Sequence, residues 1–167
     1  MAVIASSYIT AAQPNEYLRK KSEDLSSGME VIVGSEKIYC QKMLPEFYQR
    51  RDFELAWSAA DKKEMIEIID GASEEGLQPD DYHFETIRQF IARFSTPTEK
   101  AELDLLLTDA FLLYASHFLN GKVNPETVDS EWKAIRREGN AREFLERAIS
   151  KKRIKEDLQS LESQHAG

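Results

Sequence analysis

The most apolar stretch of the chain, LDLLLTDAFLLYASHFLNG over residues 103–121, has hydrophobic positions nearly all round a helical projection. A helix without a clean polar face is usually buried among several neighbours. Its start is marked upstream. Thr96 is a predicted N-cap, Pro97 takes the first helical position, and Glu99 completes a capping box. Asn120-Gly121 supplies the stop. The pattern therefore predicts one long helix over about 97–120. Turned at helical spacing, Asp104 and Thr108 fall on one stripe, Asp109 and Ser116 on another, and His117 on a third. Its first turns are charged, and acidic groups at mid-bilayer depth are costly. The helix reads as the centre of a bundle and not as a membrane span.

Elsewhere the pattern is weaker. Residues 14–25 predict a short charged helix ending near Ser27-Gly28. Residues 30–33 predict a brief extended segment closed by a glycine turn. From Ser35, a plausible N-cap, the residues Ile38, Tyr39, Met43, Leu44, Phe47 and Tyr48 recur at helical spacing, and Pro45 would kink or split that helix. The loop DFELAW is expected to send Phe53, Leu55 and Trp57 inward. Residues 61–75 predict an amphipathic helix through Met65, Ile66, Ile68 and Ile69, with Gly76 just past its end. In LQPDDYH, Asp80 or Asp81 is the expected cap of the next helix, which carries Phe84, Ile87, Phe90 and Ile91. A loop comes after the central helix, with Pro125 opening a short turn, and residues 141–149 and 154–162 predict two more charged helices. The predicted fold class is all-α: a compact multi-helix bundle around the central apolar helix, with a short extended segment near 30–33. Leu106, Phe111, Leu112 and Phe118 are expected in its core, with Trp57 packed near the central helix.

Charge changes the picture only locally. The 167 residues fit one domain, and a net charge of −8 argues against nonspecific nucleic-acid binding. Residues 131–156 nevertheless hold nine Lys/Arg against five Asp/Glu. That basic stretch could dock an anionic surface, although a solvated helix face is the plainer reading. The opening MAVIASSYITAAQP is small and apolar but has no basic n-region, so it resembles the stub of an export signal or a tail.

Candidate chemistry is sparse. None of His83, His117 and His165 has a second histidine three or four residues away, so no helical metal pair exists. Asp81 and His83 are explained by capping, and His117 by a hydrogen bond at the core boundary. Acid pairs such as Glu74/Glu75, Asp80/Asp81 and Asp104/Asp109 are abundant, but sequence neighbours do not make the two-carboxylate cleft of a glycosidase. Cys40, the single cysteine, excludes an internal disulfide. Its neighbours IYCQKM offer no oxyanion-hole signature, and it is expected as a packed residue inside a helix. No GxGxxG, P-loop or GxSxG occurs. No catalytic, cofactor-binding or metal-binding residue is assigned.

Several stretches, in order, resemble one family. IYCQKMLPEFYQRRDFELAW, EEGLQPDDYH, AELDLLLTDAFLLYASHFLNGKVNPE, DSEW and LESQH are similar to the landmarks of the scaffold domain of large periplasmic L,D-transpeptidases. The resemblance covers roughly residues 30–167. It implies a tail and charged helix over 1–28 and a helical scaffold domain over 29–167. It also implies a non-catalytic role in peptidoglycan cross-linking, in the periplasm or cell envelope, beside a transpeptidase catalytic domain and peptidoglycan. The family's Ser/Thr-His-Gly-Cys catalytic motif is absent, and Cys40 does not occupy its place. The chain stops where the family's sequence would continue, so it reads as a fragment, a truncated product or a free-standing scaffold. Apolar groups that would meet the catalytic domain are then expected to be exposed. The alternatives are a small glycan hydrolase using Asp80 or Asp81, and a generic helical adaptor.

Overall fold

The computed structural model describes residues 13–93, 96–120 and 131–165, with the backbone alone at 120, 131–140, 164 and 165. Within these residues the chain forms α1 (Pro14–Ser26), β1 (Ile32–Val33), β2 (Glu36–Lys37), α2 (Met43–Gln49), α3 (Ala59–Asp70), α4 (Phe84–Ala92), α5 (Pro97–Asn120), α6 (Glu131–Lys151) and α7 (Ile154–His165). Two 3-10 turns, Gly71–Glu75 and Pro79–Tyr82, join α3 to α4. The fold is all-α apart from the small β1–β2 hairpin.

The predicted central helix is α5, with the predicted cap. The Thr96 hydroxyl accepts from the Glu99 N–H at 3.2 Å, and the Glu99 carboxylate accepts from the Thr96 N–H at 3.1 Å. Every side chain from Leu103 to Ala115 is buried. The reason is its position: α1, α2, α3, α4, α6 and α7 all pack against it. Leu106, Phe111 and Leu112 are fully buried and Phe118 is partly so, while the Trp57 ring lies 6.3 Å from that of Phe111. No helix among the described residues is long and apolar enough to cross a membrane. The helix expected over 61–75 is α3 followed by a 3-10 turn. It starts in a capping box between Ser58 and Asp61, and Gly76 ends the turn in the left-handed conformation at φ 75°.

Several expectations fail. Residues 35–42 are not helical. Gly34 and Ser35 form a two-residue turn that pairs Val33 with Glu36, and Gly34 adopts φ +61° where a Cβ would meet Phe90 at 3.3 Å. Val31 and Val33 face the core, so the apolar repeat seen from Ile38 onward begins in an irregular segment and becomes helical only at Met43. Pro45 lies in the first turn of α2, where its missing N–H costs no intrahelical bond. Cys40 is accordingly buried in the irregular segment and not inside a helix. Leu55 is exposed, because positive φ angles at Asp52 and Phe53 turn the chain and the next two residues, Ala56 and Trp57, are the ones drawn inward. Asp80 and Asp81 do not cap α4; they sit exposed in a 3-10 turn, and His83, at φ 59°, occupies the cap position without capping through its side chain. Ile91 also faces outward. Finally, α6 begins at Glu131 and runs through Gly139-Asn140. A glycine inside a helix costs about 1 kcal/mol, less than is gained by burying Ala141, Leu145 and Ala148 on its inner face. The apolar N-terminal stub of residues 1–12 and the turn at Pro125 lie outside the described residues.

Candidate functional site

Two buried carboxylates on α5 organise the polar interior. Asp104 is 1% exposed and Asp109 is not exposed at all. Charges so placed are tolerated only when their lone pairs are filled. Both are filled largely by backbone amides of segments outside the helices.

Asp104 accepts from the Ala56 N–H at 3.0 Å, from the Trp57 N–H at 3.1 Å and from the Tyr48 hydroxyl at 2.5 Å. Thr108, one turn further along α5, lies 2.8 Å from the same tyrosine oxygen and accepts from the Trp57 indole N–H at 3.0 Å. Because the single Tyr48 proton goes to Asp104, the threonine hydroxyl is the donor to the tyrosine oxygen. The shared stripe of Asp104 and Thr108 is thus one receptor for α2 and for the turn before α3. Burial pushes the Asp104 pKa above its ordinary value, although the tyrosine and the two amides pull the other way. Burial, reinforced by the Asp104 charge, holds the Tyr48 hydroxyl well above its ordinary range.

Asp109 faces the hairpin side. Its Oδ1 accepts from the Cys40 N–H at 2.9 Å and the Tyr39 N–H at 3.2 Å, and its Oδ2 lies 2.7 Å from His83 Nε2. The other ring nitrogen, Nδ1, lies 3.0 Å from Glu36 on β2, whose second oxygen accepts from the Thr86 hydroxyl at 2.9 Å. An imidazolium donates to both carboxylates at once, whereas a neutral ring could satisfy only one. Burial opposes the charge on His83, but the hydrogen bonds and charges of Asp109 and Glu36 outweigh it and raise the pKa. Tyr39 stacks on the ring at 6.2 Å, with an interplanar angle of 9°.

A second, smaller set closes the far end of α5. The Tyr82 hydroxyl bonds His117 Nδ1, and the Tyr114 hydroxyl donates to Glu162 at 2.7 Å. His117 is the boundary histidine expected from its stripe.

These arrangements bind, orient and hold a proton. Both nitrogens of His83 are committed to carboxylates, so it has no lone pair with which to activate Cys40. Asp104 and Asp109 are each occupied by the fold, Asp104 by two amides and the Tyr48 hydroxyl and Asp109 by two amides and His83. Asp80 and Asp81 are exposed in their turn. Among the described residues, no group of three or more His, Cys, Asp or Glu side chains could hold a metal ion. The side chain of His165 lies outside the described residues. Glu36 escaped notice in the sequence because nothing local marks it. The usable signal was Asp109: a carboxylate on an otherwise apolar helix requires buried donors.

A family described as Scaffold domain matches residues 42–167. The chain belongs to that family. No curated protein and no solved structure matches it. Both aspartates and His83 lie within the matched part of this scaffold domain, whereas the hairpin that supplies Glu36 precedes it.

Proposed function

We propose that this scaffold domain is the non-catalytic scaffold of a peptidoglycan L,D-transpeptidase system, acting in the periplasm or cell envelope to position catalytic or peptidoglycan-binding domains for cell-wall cross-linking. The observation that carries the proposal is the use made of the polar residues. The two buried carboxylates of α5, the buried His83 and the Cys40 amide are consumed in fastening loops to α5, which is what a support requires and what a catalytic centre cannot spare. The ordered landmarks over roughly residues 30–167 supply the link to the transpeptidase context. Met29, Ile32 and Tyr39 stand exposed around the hairpin, offering apolar surface of the kind a neighbouring domain would cover. Transpeptidation needs a thiolate, a base and donors for the developing oxyanion. Cys40 is buried, and its own N–H is directed to Asp109.

The test has two arms. The purified chain is incubated with tetrapeptide muropeptides, and 3→3 dimers are sought by mass spectrometry; none are expected. Dimers that vanish in Cys40→Ser would make Cys40 the nucleophile and overturn the proposal. In the second arm the chain is co-expressed with a separate L,D-transpeptidase catalytic domain. Co-purification at a fixed ratio is expected, and its absence counts equally against the scaffold role.

A further inference from the structure

We infer that the groove between the end of α2 and the second half of α6 is a docking site for an acidic peptide segment of a partner protein. The groove has a volume of about 560 Å³ and is lined by Phe47, Arg50, Arg51, Glu146, Ile149 and Ser150. Clefts of this size accommodate a short segment and not a broad protein face. Its apolar part is Phe47 and Ile149, enough for one or two aliphatic side chains. Its polar rim is cationic, and it lies beside the one region where this acidic chain turns basic.

The two arginines are set up differently. Arg51 is fixed in place: its guanidinium lies over the Phe47 ring at 5.2 Å, with Nε donating to the Glu54 carbonyl at 3.0 Å and Nη2 to the Leu55 carbonyl at 3.3 Å. Those hydrogen-bond partners are neutral carbonyls, and its charge also acts on the buried Asp104. Arg50 is exposed, and its Nε donates to Glu146 at 2.9 Å. That bond can be exchanged at little cost, since exposed ion pairs contribute little. Glu146 is not orphaned by the exchange, because Arg142 donates to the same oxygen at 2.7 Å. An incoming carboxylate therefore finds one guanidinium already oriented and a second able to swing. Lys151 and Lys152 follow Ser150 and are exposed, whereas Arg153 is paired with Glu156 and Asp157. Against this positive charge stand Glu46 and Glu143, both within reach of Arg142. A peptide with acidic residues flanking an aliphatic one matches this layout, and a basic peptide does not.

The test uses a fluorescein-labelled glutamate–leucine peptide titrated with the full chain by fluorescence anisotropy. Saturable binding is expected, weaker at high salt. Arg50→Glu should weaken it by about fivefold to tenfold, Arg50→Ala by less, and Ser150→Trp should abolish it by filling the groove. Arg88→Glu, an exposed arginine on α4, should leave it unchanged. Circular dichroism confirms that each variant is folded. Absence of binding, equal affinity for a lysine–leucine peptide, or indifference to Arg50→Glu would each overturn the proposal. So would displacement of the probe by soluble muropeptides through Arg50, which would assign the groove to a cell-wall glycopeptide instead of a protein partner.

Discussion

Replacing Asp109 with asparagine removes one charge and keeps the shape. In the wild type, Oδ1 serves the Cys40 and Tyr39 amides, and Oδ2 serves His83 Nε2. If the asparagine oxygen takes the Oδ1 position, its NH₂ points at the Nε2–H of the imidazolium, donor against donor. If the amide is flipped, the NH₂ meets two backbone N–H groups. Either way a buried cation loses one of its two carboxylates. Breaking one side of a buried pair costs about 3–5 kcal/mol, a large part of a domain stability of about 5–15 kcal/mol. The cost depends on pH in a definite direction. The folded-state pKa of His83 is raised above 6.5, so its contribution is fully present below that value and is lost as pH rises through the raised one. In Asp109→Asn the alkaline side is where the penalty shrinks, because deprotonated Nε2 can accept from the new NH₂. The assay is urea unfolding at pH 6, 7, 8 and 9 for wild type, Asp109→Asn and His83→Gln. Wild type should lose stability across this series, His83→Gln should be nearly flat, and the Asp109→Asn deficit should narrow. An unchanged slope in His83→Gln, or a deficit below about 1 kcal/mol at pH 6, would refute the reasoning.

Other expectations are simpler. Leu106→Ala should cost about 2–5 kcal/mol in chemical denaturation, since Leu106 is fully buried on the central helix; an unchanged midpoint would contradict the role of α5. Tyr48→Phe leaves Asp104 and Thr108 without their shared hydroxyl and should cost about 1–3 kcal/mol, while lifting the Asp104 pKa further, measurable by carboxyl NMR titration. Thr96→Ala should cost about 1 kcal/mol, with faster hydrogen exchange confined to the first turn of α5.

Local signals read well in this sequence, and distant ones did not. The α5 boundaries came from Thr96, Pro97 and Glu99, which act within one turn. Gly76 likewise declared itself, because only a left-handed residue ends that segment cheaply. The hairpin declared only half of itself: the extended segment and its glycine turn were legible, but Glu36 and Lys37 lack strand character, and the place of Glu36 depends on His83 and Thr86, dozens of residues away. The apolar spacing around Ile38 and Met43 mimicked a helix because core contacts, not helical geometry, fix which of those side chains point inward. The polar interior was half legible. The common stripe of Asp104 and Thr108 correctly joined two residues that meet at Tyr48. That Asp109 is met by two backbone amides could not be read, since amides have no sequence identity.

The aspartate anchors also set the order in which the chain can fold. The amides of Tyr39, Cys40, Ala56 and Trp57 find their acceptors 47–70 residues later in the chain. Closing those contacts means closing long loops, whose entropic cost precedes any gain. Until α5 is in place the hairpin and the two irregular segments have no receptor, and the apolar side chains around them have no core. Folding of the N-terminal half therefore waits on a single helix, wherever the chain is delivered.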